Sequence, residues 1–320
     1  MLMDSAHGDV TPGAIASGHL CTLEPVNPYR LDLTAWVLRR RPQNRIDQWP
    51  GAYRRALMVD GRALSIEVAQ QPSTSALTVS VPTPGHLSAH DRLMIRDQVE
   101  LLLGTGVDLG PFYRLVDDDP DLGGLKDRFL GVHPTRFPSL FESIVNAVAN
   151  QQLSLEVGIE LLNRFAERFG ARPRDEHGLI AFPEPEAVMG ASLSDLRDLG
   201  FSDRKAEYIL GCADAIATGA LRQESLEDTD RGRARDILLA IRGIGPWSAD
   251  YILLRGMGQL DVYPADDVGA RNKLQALLSL ELPPSRDEIV AIVRRWEPWA
   301  GMAYFHLLLD GLAQRGCLDD

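Results

Sequence analysis

The chain has 320 residues, of which 45% are hydrophobic and 24% charged, a balance that builds cores for two or three domains and excludes global disorder. A net charge of −12 excludes nucleic-acid binding by bulk charge, so any such partner must be met by a local patch. Cys21, Cys212 and Cys317 are odd in number and far apart, which excludes a disulfide framework and a four-cysteine cluster.

In chain order, residues 1–22 read as a flexible tail. They hold neither the basic head nor the apolar block of a secretory signal. Residues 23–110 read as an α/β domain. Leu31–Arg41 has the pattern of a helix. Ala56–Ala69 reads as two strands turning at Asp60-Gly61, and Ala76–Val81 as a third, closed by Pro82-Thr-Pro-Gly85. A helix follows over Asp91–Leu103.

From residue 111 to 320 the apolar period becomes helical. Helices are expected at Ser139–Gln152, Leu155–Phe169, Ser194–Leu199, Lys205–Thr218, Gly232–Ile241, Trp247–Met257, Asp267–Leu278, Arg286–Trp296 and Ala300–Gly311. The fold class is therefore α+β: a small antiparallel sheet with helices, joined to a larger all-helical region of two subdomains. No apolar run approaches the length that spans a bilayer. The cysteine usage leads us to expect a reducing cytoplasm.

The densest signal is Leu239-Ala-Ile-Arg-Gly-Ile-Gly-Pro-Trp-Ser-Ala-Asp-Tyr-Ile-Leu-Leu-Arg255, followed by Asp261-Val-Tyr-Pro-Ala-Asp-Asp-Val268. It reads as two helices joined at Gly243-Ile244-Gly245, a hairpin over residues 232–258. Both glycines are expected to supply positive φ or close backbone approach. Pro246 suits the first helical position. Amides at the start of the second helix then offer a phosphate site, although Gly-x-Gly between helices is also a plain structural turn. Five arginines against two aspartates give residues 231–260 a local excess of +3, a small basic footprint. The Asp266-Asp267 pair can cap a helix or stabilise a cationic sugar, and the spacing alone does not choose.

These motifs resemble the helix-hairpin-helix (HhH-GPD) DNA glycosylase superfamily. Phe141-Glu-Ser-Ile-Val-Asn-Ala-Val-Ala-Asn-Gln-Gln-Leu-Ser154, Leu199-Gly-Phe-Ser-Asp-Arg-Lys-Ala-Glu-Tyr-Ile209, Trp49-Pro-Gly-Ala-Tyr-Arg-Arg-Ala-Leu57 and Arg295-Trp-Glu-Pro-Trp-Ala-Gly-Met-Ala-Tyr304 extend the likeness to its AlkA-type 3-methyladenine branch over residues 25–312. The resemblance implies a monofunctional glycosylase that flips alkylated bases out of double-stranded DNA and hydrolyses the glycosidic bond. It makes Asp267 the catalytic carboxylate and Asp266 a supporting residue. Trp247, Tyr251 and Leu308 become the base pocket, with Leu308 where the family carries a tryptophan.

Gln152 becomes the wedge that fills the vacated stack, with Leu153 as the alternative. Lys205 and Arg242, beside Gly243, Ile244 and Gly245, read equally as phosphate contacts and as solvated helix charges. Trp247 stands where strand-cutting relatives carry a Schiff-base lysine, which implies no lyase step. No cofactor and no side-chain metal site are implied, only a monovalent cation on the hairpin carbonyls. A monomer is expected. His306, a lone helical histidine, reads as a core residue before a functional one. Two other readings remain at this level: a glycosylase for oxidised, deaminated or etheno bases, and a non-catalytic DNA-binding hairpin module.

Overall fold

The structure, a computed structural model, describes residues 18–72, 74–82 and 85–318. The N-terminal unit holds β1 (His19–Leu23), α1 (Leu31–Arg39), β2 (Tyr53–Val59), β3 (Arg62–Gln70), β4 (Leu77–Ser80) and α2 (Ala89–Leu103). Its sheet is antiparallel in the order β1-β4-β3-β2. Asp60 and Gly61 both take left-handed φ (47° and 68°), the two-residue turn whose twist suits a hairpin, so Val59 pairs with Arg62. The expected tail is corrected at one end. Residues 1–17 lie outside the described residues, but His19–Leu23 is an edge strand hydrogen-bonded to β4.

The helical region follows: α3 (Gly110–Val116), α4 (Gly123–Arg128), α5 (Leu140–Asn150), α6 (Leu155–Phe169), α7 (Pro185–Val188), α8 (Leu193–Asp198), α9 (Asp203–Ala217), α10 (Glu224–Glu227), α11 (Arg231–Leu239), α12 (Pro246–Arg255), α13 (Val268–Leu277), α14 (Arg286–Val293), a 3-10 turn (Arg294–Trp296) and α15 (Ala300–Ala313). Side-chain N-caps set most of the long starts. Ser139, Ser154, Ser202, Asp230, Asp267 and Ser285 each accept an amide from the first turn of their helix. Two helices are the axis of the core. Leu140 to Ala149 of α5 are all buried, as are Ser248 to Arg255 of α12. A helix buried all round fixes its ends rigidly, and the functional loops hang from those ends.

The helix α1 joins the two units. Its Leu31, Ala35 and Leu38 pack into the sheet core, while Leu33, Trp36 and Val37 enter the helical core. A buried charge cluster adds a second tie. Arg55 of β2, 1% exposed, donates to Asp47 Oδ1 (2.8 Å) and to both oxygens of Glu142 on α5 (2.6 and 2.5 Å). Tyr53 donates to the same Asp47 oxygen at 2.8 Å. A cavity of about 640 Å³ opens beside this cluster, between the β2–β3 turn, α5 and Phe182–Pro185, and none of the expected site residues lines it.

His306 is a core residue. It is fully buried, its Nδ1 meets the Met302 carbonyl at 2.8 Å, and its ring lies between those of Phe112 and Phe129. Burial pushes its pKa down to about 4. The folded chain therefore keeps His306 neutral while the unfolded chain binds a proton below pH ~6.5. Its contribution is complete above that pH and is lost as pH falls towards 4. Urea melts at pH 7 and 4.5 are expected to differ by about 2–3 kcal/mol more for the native chain than for His306→Leu. Equal pH dependence in both would contradict this.

Candidate active site

The hairpin is built as α11, the turn 240–245, and α12. Gly243 has φ +93°, and a Cβ there would sit 2.2 Å from the Tyr208 ring, so no other residue fits. Gly245 departs from the expectation of positive φ: its φ is −92° and its ψ −179°, extended backbone open to any residue. What its missing side chain provides is space, since a Cβ would meet nothing within 4 Å. Pro246 occupies the first helical position, as expected. Among the described residues, the amides of Gly245, Trp247 and Ser248 have no acceptor in the chain, which leaves a row of donors at the positive end of α12. Ile244 is 4% exposed and anchors the turn in the core rather than presenting a side chain outward.

Asp267 is the N-cap of α13 and is half-buried. Its Oδ1 accepts the Ala270 amide at 2.8 Å. Its Oδ2 accepts from Trp247 Nε1 at 3.0 Å and from the Tyr304 hydroxyl at 3.1 Å. Three donors from three helices thus fix the carboxylate in one orientation, and among the described residues it forms no ion pair. One residue thus both caps a helix and presents a fixed carboxylate oxygen. Asp266 instead accepts from Arg286 Nε at 3.1 Å, and no hydrogen bond joins it to Asp267, so its support is confined to the loop. Tyr304, which the sequence did not flag, has its hydroxyl pKa pushed far up by burial and by the Asp267 charge. It stays a donor at every pH the protein meets.

Trp247 and Tyr251 share a face of α12 and stack at 5.3 Å with 28° between planes. Trp247 is half-buried and Tyr251 is 5% exposed. Leu308, half-buried, lies one turn beyond Tyr304 on α15. Trp247, Tyr251 and Asp267 are joined by contacts, and Tyr304 joins α15 to the group.

The loop after α5 is fastened on two sides. Gln151 Nε2 donates to the Gly243 carbonyl (2.8 Å) and to Ser248 Oγ (2.9 Å), locking the loop to the hairpin. Lys205 was expected to meet phosphate. Its Nζ is held instead by the carbonyls of Ala149 (3.1 Å) and Gln151 (2.8 Å), and burial lowers its pKa to about 8. With those anchors in place, Gln152 takes a left-handed φ of 56° and stands exposed beside Leu153, 43% exposed. Both candidate wedges therefore project from one loop tip. Arg242 is exposed at the hairpin, paired with Glu207 (2.7 Å) and set over the Tyr208 ring.

The family model of the HhH-GPD superfamily base excision DNA repair proteins matches residues 145–298, the span holding the loop after α5, the hairpin and Asp267. DNA-3-methyladenine glycosylase 1 of Schizosaccharomyces pombe is 30% identical over 166 residues, 50% of this chain and 69% of that one. The chain belongs to the HhH-GPD superfamily. DNA-3-methyladenine glycosylase of Bacillus subtilis is 34% identical over 201 residues, 62% of this chain and 66% of that one. The chain spans 50–66% of the length of several curated relatives. A solved 3-methyladenine DNA-glycosylase from Archaeoglobus fulgidus superposes with a TM-score of 0.79 at 28% identity, covering 90% of this chain and 97% of the other. That overlap includes the sheet unit, so this HhH-GPD chain has an N-terminal unit in common with that structure.

Proposed function

We propose that the protein is a monofunctional DNA glycosylase that removes alkylated purines of the 3-methyladenine and 7-methylguanine type from double-stranded DNA. The observation that carries this reading is the Asp267 carboxylate. It is half-buried, without an ion pair among the described residues, held by Trp247, Tyr304 and the Ala270 amide, and set beside an aromatic wall.

The free amides at the start of α12 grip a backbone phosphate, and the Gln152-Leu153 tip enters the stack where the base has left. The extruded base lies against the Trp247–Tyr251 stack, whose electron-rich faces attract the positive charge of an alkylated ring. As the glycosidic bond lengthens, positive charge grows on the sugar, and the fixed Asp267 carboxylate stabilises it without having to reorient. Water then adds at the anomeric carbon.

Trp247 offers no amine for a Schiff base, so the strand stays whole. The hairpin carbonyls of Ile241 and Gly243 each accept one hydrogen bond and keep one lone pair, which fits a monovalent cation that would stiffen the turn. One chain supplies every group named, consistent with a monomer. The three free cysteines suit a reducing bacterial cytoplasm, and no helix among the described residues is long and apolar enough to cross a membrane.

The test is a methylated duplex scored for nicks before and after alkali. The expected result is an intact strand that breaks only after alkali, with no borohydride-trapped adduct. Nicking without alkali, or a trapped adduct, would contradict a purely hydrolytic enzyme.

A further inference from the structure

Arg40, at the C-cap of α1, is a residue of the N-terminal unit that reaches the base wall. It is 4% exposed and takes a left-handed φ of 57°, a conformation that side-chain-bearing residues hold only where surroundings enforce it. Its Nη1 donates to the Tyr251 hydroxyl at 3.0 Å and its Nη2 to Asn146 Oδ1 at 2.8 Å. Among the described residues it has no carboxylate partner.

Arg255 meets the same Phe137 ring as Arg40. It is 1% exposed, sits over the rings of Phe137 and Phe305, and among the described residues its side chain hydrogen-bonds the Val37 carbonyl. Of the carboxylates buried nearby, Asp47 and Glu142 are both bonded to Arg55, and Asp250, the residue before Tyr251, is paired with Arg235. Among the described residues neither Arg40 nor Arg255 has a salt bridge, and the Arg40 guanidinium sits directly on the Tyr251 hydroxyl.

A hydroxyl that accepts from a guanidinium has a single proton left, and that proton must point away from the guanidinium. Tyr251 donates to no acceptor among the described residues. Its proton is therefore available to a base laid against Trp247 and Asp267.

We propose that Arg40 is a positioning and specificity residue, which fixes Tyr251 as a hydrogen-bond donor to the extruded base and tilts the pocket towards bases that depart with negative charge. This rests on the glycosylase reading. When an uncharged nucleoside is cleaved, the C1′–N bond breaks with both electrons going to the base. The base leaves as an anion and then takes up a proton, while water adds to C1′ and releases one. A donor backed by a cation stabilises that anion. A base already cationic leaves neutral and gains nothing from the same device. The device therefore extends the pocket beyond the cationic alkylpurines to the uncharged purine with an acceptor edge, as in deaminated adenine.

Single-turnover release is measured at saturating protein from duplexes holding hypoxanthine or 7-methylguanine. Arg40→Met is expected to lower the hypoxanthine-to-7-methylguanine rate ratio at least tenfold. Tyr251→Phe is expected to shift the ratio as far, and the double variant no further, because both act through one bond. If Arg40→Met does not fold, Tyr251→Phe carries the test, with Arg40→Lys retaining part of the ratio. A parallel fall for both bases, or an unchanged ratio, overturns the role of Arg40. A native chain that releases neither base overturns the glycosylase reading itself.

Discussion

Asp267→Asn is expected to slow base release at least about a thousandfold while affinity for DNA holding an abasic site stays within a few-fold. The size follows from what is removed. The carboxylate is the negative charge fixed by Trp247, Tyr304 and the Ala270 amide at this wall, and charge developing on the sugar has no other counterpart there among these groups. An amide keeps the volume and one acceptor for the Ala270 amide. Its NH2 then faces the Trp247 and Tyr304 donors, so a stability loss of about 1–2 kcal/mol accompanies the change. Single-turnover rates and gel shifts on the same preparation separate chemistry from grip. Release within tenfold of the native rate would remove Asp267 from the reaction.

The second large effect is on stability. Glu142→Ala is expected to cost about 2–4 kcal/mol in denaturant melts and to lower the thermal midpoint by roughly 4–8 °C. Glu142 meets Arg55 with both oxygens, and the two side chains are 4% and 1% exposed. Removing the carboxylate leaves the guanidinium buried with Asp47 alone. Asp47 still balances the guanidinium charge, so the cost is that of a lost charge-assisted hydrogen bond and of a buried Arg55 Nη2 left without its acceptor, which exceeds that of breaking an ion pair in solvent. Replacing Arg55, Asp47 and Glu142 together by apolar residues of like volume is expected to cost less than Glu142→Ala alone. A loss below 1 kcal/mol for Glu142→Ala would show that the cluster does not hold the two units together.

Local chemistry made much of this molecule readable in advance. The Asp60-Gly61 hairpin, the Gly243 turn and Pro246 at the start of α12 were legible because each demands a backbone state that few residues serve. The helices α6 and α12 were legible because their apolar positions recur at helical spacing and a cap or a proline marks where each begins. What escaped depends on distance along the chain. Short α3 and α4 open on glycine and have little helical preference of their own; burial of Phe112, Val116 and Leu125 holds them in place. The strand β1 is an edge of mixed residues with no alternation to read, defined by its pairing with β4.

The site shows the same division. Asp267 and Trp247 stand in a motif, whereas Tyr304 and Arg40 join it from 37 and 211 residues away. Lys205 escapes a sequence reading for a related reason. A lysine at a helix start looks solvated until the carbonyls of α5 are brought to it.

The most direct measurement is chromatography of the bases freed from methylated duplex DNA by the native chain and by Asp267→Asn. Free 3-methyladenine and 7-methylguanine from the native chain, and none above background from the variant, is the result that the geometry around Asp267 predicts. Bases freed equally by both, or by neither, would contradict it.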